Sequence, residues 1–116
     1  MSQVTIYHNP RCSKSRQTLA LIQEQGIEPD VREYLKDTPS ADELKQVLDS
    51  LGITARELLR KNEDEYKENN LSNPELTDDQ IIAVMLANPK LIERPIVLNG
   101  GQARIGRPPE SVLEIL

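Results

Sequence analysis

The chain has 116 residues, a net charge of −5, one cysteine, one histidine, three Tyr and neither Trp nor Phe. That length suits a single domain, residues 1–116, around one aliphatic core. The acidic balance argues against a nucleic-acid binder, which needs a basic face, so any anion site must come from locally clustered cations. A solitary thiol excludes an internal disulfide and fits a reducing cytoplasm. No apolar run is long enough to span a membrane, and the N-terminus reads as a strand rather than a signal peptide.

Taken in order, Val4–Tyr7 is a short apolar strand that stops at His8-Asn9-Pro10. Beyond Cys12 the apolar period changes from 2 to 3.6, with Leu19, Leu21 and Ile22 as the stripe of a helix from about Ser13 to Gln25, closed by Gly26. Val31–Leu35 reads as a second strand, parallel to the first through a right-handed crossover. Ser40 with Glu43 is a capping box for a helix that buries Leu44, Val47, Leu48 and Leu51 and stops at Gly52. Thr54 with Glu57 opens a shorter helix ending near Arg60. The polar stretch from Lys61 to Asn70 reads as a solvated face with one helical piece around Tyr66.

Thr77 with Gln80 starts a helix from Asp78 to about Asn88, broken at Asn88-Pro89. Arg94–Leu98, the Asn99-Gly100-Gly101 turn and Gln102–Ile105 make an antiparallel hairpin, with Pro95 at the start of its strand. A last helix, Glu110–Leu116, packs through Val112, Leu113 and Ile115. The whole is an α/β, thioredoxin-like layer: βαβ, a helical insertion, then ββα, on a mixed four-stranded sheet.

Cys12 falls where the first helix begins, beside N–H groups without intrahelical partners and the positive end of the helix dipole. Both lower a thiol's pKa, and the same N–H groups can hold an oxyanion. A lone cysteine is commonly just a small buried hydrophobe, but Arg11, Ser13, Lys14, Ser15 and Arg16 surround this one. Sharper motifs fail. A phosphatase loop wants Arg where Thr18 stands, a C-x-x-C pair wants a thiol at Ser15, and Cys12 and His8 alone cannot make a metal site. His8 is placed to support a thiolate, directly or through the loop, without being a general base. Topology brings Arg94, ahead of the strand-opening Pro95, toward Cys12. Spacing alone places neither Arg60 nor Arg107.

These residues resemble the glutaredoxin-coupled arsenate reductases of bacteria, over nearly the whole length from Val4 to Leu116. The likeness rests on Asn9-Pro10-x-Cys12-x-x-Ser15-Arg16, Leu59-Arg60-Lys61-Asn62-Glu63, Thr77-Asp78-Asp79-Gln80, Arg94-Pro95-Ile96-Val97 and Arg107-Pro108. The resemblance implies a Cys12 nucleophile supported by His8, and Arg60, Arg94 and Arg107 as oxyanion ligands. It also implies a cis Arg94–Pro95 bond. The expected activity is reduction of arsenate to arsenite through a covalent Cys12 adduct, in a cytoplasmic monomer without nucleic-acid or membrane partners. No tightly bound cofactor is expected; glutathione is the co-substrate and glutaredoxin the protein partner, since one thiol cannot resolve its own adduct. Two rivals share the fold: a general glutathione-dependent thiol oxidoreductase, and an interaction module like the polymerase-binding regulators. The second commonly carries the C-x-x-C that Ser15 interrupts.

Overall fold

The strand β1 (Val4–Tyr7) is buried on both sides of its pleat, with Val4, Ile6 and Tyr7 almost wholly out of water. This is the apolar run a central strand requires. In the computed structural model, which describes residues 4–116, β1 pairs in parallel with β2 (Asp30–Arg32) and antiparallel with β3 (Ile96–Asn99). β3 pairs antiparallel with β4 (Gln102–Ile105), so the order across the four-stranded sheet is β2-β1-β3-β4. Register is fixed by apolar matches: Ile6 lies opposite Val97 and Val31, and Ile96 opposite Ile105. A slip of one residue would turn Ile6 and Val97 to the wrong face. The expected thioredoxin-like, mixed α/β sheet is what forms.

Helix α1 (Ser13–Glu24) and a 3₁₀ segment, Pro109–Ile115, pack together beside this sheet. Ile22, Val112 and Ile115 join Val4, Ile6 and Val97 in one core, flanked by Leu19, Ile27 and Leu116. Each fully buried aliphatic side chain contributes about 1.5–3 kcal/mol. The turn after α1 places Gly26 at φ +78°, the left-handed geometry expected of a helix-ending glycine. These elements form one compact unit, running to Asp37 and resuming at Arg94–Leu116; Thr38–Glu93 forms a second.

In the second unit, α2 (Ala41–Leu51) and α4 (Asp78–Ala87) both begin with the capping boxes read from sequence, Ser40/Glu43 and Thr77/Gln80. The two helices pack on one another, burying Leu44, Val47, Leu48, Ile81, Ile82 and Met85. A short α3 (Asp64–Glu68) is the helical piece expected around Tyr66. Among the described residues no helix is long and apolar enough to cross a membrane.

Three elements depart from expectation. β2 is shorter than Val31–Leu35, because Lys36 and Asp37 donate their N–H groups to the Glu33 carbonyl and turn the chain. The helix expected between Thr54 and Arg60 is only a 3₁₀ turn, Arg56–Leu58. Leu59 bridges to Ile92 instead, while Arg60 donates its N–H to the Leu91 carbonyl, so extended pairing overrides helix continuation. The last helix is 3₁₀ rather than α. It opens on Pro108-Pro109, which lack N–H donors, and its end is held by the Asn99 side-chain amide donating to the Ile115 carbonyl.

At Gly106 the backbone passes close to α1 and Pro95. The Gly106 N–H donates to the Pro95 carbonyl at 2.9 Å. A Cβ there would lie 2.5 Å from Thr18 Oγ1 and 2.8 Å from Pro95 Cγ. Gly106→Ala should therefore destabilise the fold by about 1–3 kcal/mol through overpacking. Urea denaturation should show a lower midpoint at unchanged slope.

Candidate active site

His8 to Cys12 make the whole connection between β1 and α1. Asn9 braces it from within: its carbonyl accepts the Cys12 N–H and its Oδ1 accepts the Arg11 N–H, each at 3.0 Å. Arg16 reaches back from α1 to donate to the Pro10 carbonyl at 2.9 Å. Cys12 then occupies the N-cap position, with extended backbone at φ −94°, ψ 123°. Ser, Thr, Asp or Asn usually stands there, its oxygen accepting the N–H of the second or third helical residue. Here the sulfur takes that place, and the second and third residues are Lys14 and Ser15. No side-chain cap hydrogen bond is formed in the structure. Both N–H groups nevertheless act on the sulfur and favour its charged form.

Opposing influences decide the protonation of Cys12. Burial, the largest single one, pushes the thiol pKa up. Against it stand the Ser15 N–H, the hydrogen bond and charge of the Arg94 guanidinium, and the Lys14 N–H; together they hold the pKa below its ordinary value. Arg107 adds a contact from the other side of the hairpin, with Nη2 at 3.7 Å from Sγ. Its Nε donates to the Arg94 carbonyl at 2.8 Å, which ties the two arginines into one assembly. Both precede a cis proline, Arg94–Pro95 as the resemblance implied and Arg107–Pro108 in addition.

His8 does not touch the sulfur; it acts through Ser15. Its Nδ1 lies 2.6 Å from Ser15 Oγ, which also accepts the Asn9 N–H at 3.0 Å. Ser15 is wholly buried, and among the described residues its hydroxyl proton has no acceptor but His8 Nδ1. A buried hydroxyl donates where it can, so His8 is the neutral tautomer with its hydrogen on Nε2. The pKa of His8 is lowered accordingly, chiefly by burial and also by the Arg16 charge, with Glu33 opposing. The arrangement locks Ser15, and hence the N–H it offers to Cys12.

Arg60 belongs to the second unit, where its Nη1 lies 2.9 Å from Glu93 Oε1 and its Nε 3.4 Å from Glu63 Oε1. The first unit by itself therefore brings together Cys12, His8, Arg94 and Arg107. Ser15, which sequence reading took as a polar neighbour of Cys12 and a missing second cysteine, proves to be the link between His8 and Cys12. The buried face of α1 is Ser15, Thr18 and Ile22 with Leu19 alongside, rather than the apolar stripe of Leu19, Leu21 and Ile22. The 15, 18, 22 spacing carried that signal, but two hydroxyl residues hid it. Thr18 is tolerated in the interior because its hydroxyl donates to the Lys14 carbonyl at 2.8 Å.

The ArsC family pattern matches residues 7–115. An arsenate reductase of Escherichia coli is 50% identical over 116 residues, covering 100% of this chain and 82% of that protein. An uncharacterised Escherichia coli protein is 56% identical over 115 residues, covering 98% of this chain and 97% of that protein. The solved structure of an arsenate reductase from Vibrio cholerae superposes with a TM-score of 0.96 at 56% identity, covering 99% of this chain and 98% of that one.

Because His8 is neutral in the fold, it should stay neutral until pH falls below the ordinary histidine value of 6.5. The unfolded imidazole takes its proton earlier, so this group's contribution to stability is complete above 6.5 and is lost as pH falls toward the lower folded value. Ser15→Ala removes the donor to Nδ1 and should move the His8 titration upward. NMR of the imidazole carbons checks both; an unmoved titration would contradict the tautomer assignment.

Proposed function

The chain belongs to the ArsC family, and on that footing we propose that it is an arsenate reductase working through its one thiol. The observation that carries the reading is the convergence of Arg94, Arg107 and the first N–H groups of α1 on Cys12 Sγ. A thiolate and an arsenate oxyanion repel one another, by about 4 kcal/mol per pair of unit charges at 4 Å and an effective dielectric of 20. Guanidinium groups aimed at the same sulfur offset that repulsion and can hold the arsenate oxygens through charge-assisted hydrogen bonds. Arg60 retains in this reading the oxyanion-binding role that the family resemblance gives it.

In the first step the Cys12 thiolate attacks arsenic(V), forming an S–As bond as one oxygen leaves, protonated, as water. In the second an external thiolate attacks Cys12 Sγ. An S–S bond forms, the S–As bond breaks, and its electron pair stays on arsenic, which departs as arsenite in the (III) state. A second external thiol then exchanges with the mixed disulfide and returns Cys12 to the thiolate. Two thiols have lost two electrons, one disulfide has formed, and arsenic has gained the pair. The chain has a single cysteine, so both reducing sulfurs come from outside. Glutathione followed by glutaredoxin supplies them in this reading.

Cys12→Ser should abolish arsenate turnover. Arg107→Met should lower kcat/KM by about a hundredfold, the usual cost of losing one oxyanion donor. Arg60→Met should weaken arsenate binding without altering the Cys12 titration. Steady-state assays with arsenate, glutathione and glutaredoxin check all three. Turnover surviving in Cys12→Ser, or proceeding without external thiol, would contradict the scheme.

A further inference from the structure

A second recess lies beside the Cys12 loop. His8, Asn9, Pro10, Arg11, Glu33, Leu35 and Lys36 line a cleft of about 180 Å³. Its lining divides into apolar walls, Pro10 and Leu35, and charged groups, Arg11, Glu33 and Lys36. The imidazole of His8 forms part of the wall while being only 6% exposed. With Nδ1 held by Ser15, the Nε2–H is the hydrogen-bonding edge that remains, and among the described residues nothing accepts from it. That edge keeps access to water at the cleft, where a ligand's acceptor can take the solvent's place. The oxyanion chemistry at Cys12 makes no use of it.

The charges of the cleft have a definite pattern: two cations, Arg11 and Lys36, around one anion, Glu33. Glu33 and Lys36 are 3.9 Å apart, and the Lys36 side chain is 82% exposed, so the pair is loose and open to exchange. Arg11 is exposed, and its side chain is free of the bracing that its backbone N–H provides to the loop. The complement of this pattern is a small zwitterion with two carboxylates and one ammonium. Glutathione has that constitution, and its thiol lies between its two ends.

We propose that this cleft binds glutathione, its γ-glutamyl end seated among His8, Glu33 and Lys36. The ammonium faces Glu33, and the neighbouring carboxylate accepts from His8 Nε2–H and Lys36. The glycine carboxylate meets Arg11 at the rim. The cysteinyl residue then runs along Pro10-Arg11, the two residues immediately before Cys12; a tripeptide spans about 10 Å when extended, enough to cover that step. The assignment rests on the reductase reading above for its purpose, and it separates two anion sites. Arsenate is held by the arginines that touch the sulfur, and glutathione by groups on the β1–α1 and β2 loops. It also gives the cleft a line to the thiolate, since a carboxylate on Nε2–H strengthens the basicity of Nδ1 toward Ser15.

The test uses S-methylglutathione, which keeps every charge and cannot react, titrated into the full chain by calorimetry and NMR. Saturable binding is expected, with the His8 ring signals and the Leu35 methyls shifting. Lys36→Glu and Arg11→Glu, both at exposed positions that leave the fold intact, should each weaken binding by about tenfold, the loss of one charge-assisted hydrogen bond. The same variants should raise the KM for glutathione and leave the KM for arsenate unchanged. Absence of binding, shifts confined to other residues, or variants that bind as the parent does would overturn the assignment. Parallel turnover assays keep the two readings apart. Binding in a chain that does not reduce arsenate upholds the cleft and sinks the reductase reading; arsenate reduction with no S-methylglutathione binding overturns the cleft alone.

Discussion

The first unit is organised by a contest over one sulfur. Burial raises the thiol pKa, and the start of α1 together with the Arg94 guanidinium pulls it down. The second influence prevails because it comes from several directions at once. Backbone N–H groups of Lys14 and Ser15 approach along the helix axis and Arg94 from just ahead of β3, while Arg107 makes its contact from just past β4. None of these could be in place without the sheet order β2-β1-β3-β4, which sets the end of β1 beside the start of β3. The fold is in this sense an instrument for aiming donors at Cys12.

Rigidity in the surrounding loops serves the same end. Asn9 holds the β1–α1 loop by two hydrogen bonds, and Ser15 is pinned between His8 and the Asn9 N–H. Gly106 lets the chain pass close over Thr18 and Pro95, so that Arg107 arrives with its Nε on the Arg94 carbonyl. Each device is a fixed dipole or a close approach, set before any substrate arrives. Preorganised donors of this kind need no rearrangement as charge develops, which is where electrostatic catalysis draws its advantage.

Much of this was legible in the residues. The period change after Cys12, the paired capping residues at Ser40/Glu43 and Thr77/Gln80, and the glycine stops at Gly26 and Gly52 are local signals, and local structure follows them. Arg94 could be placed from topology, because Pro95 opens a strand adjacent to β1. What could not be read depends on contacts distant in sequence. The Leu59–Ile92 bridge cuts short a helix that its own capping pair favours. Arg107 reaches Cys12 across a separation no periodicity reports. Ser15 was the subtler case, since a buried hydroxyl on a helix face announces itself only when its partner, His8, is seen beside it.

The claim on which the account turns is that the surroundings of Cys12 hold its thiol pKa below the ordinary value. Because the chain contains one cysteine, the ultraviolet absorbance of thiolate, followed against pH, reports this sulfur alone. The transition should fall below the range of an ordinary thiol in the folded protein and return to that range in denaturant. A folded-state transition at or above the ordinary range would show that burial wins the contest, and the account would not survive it.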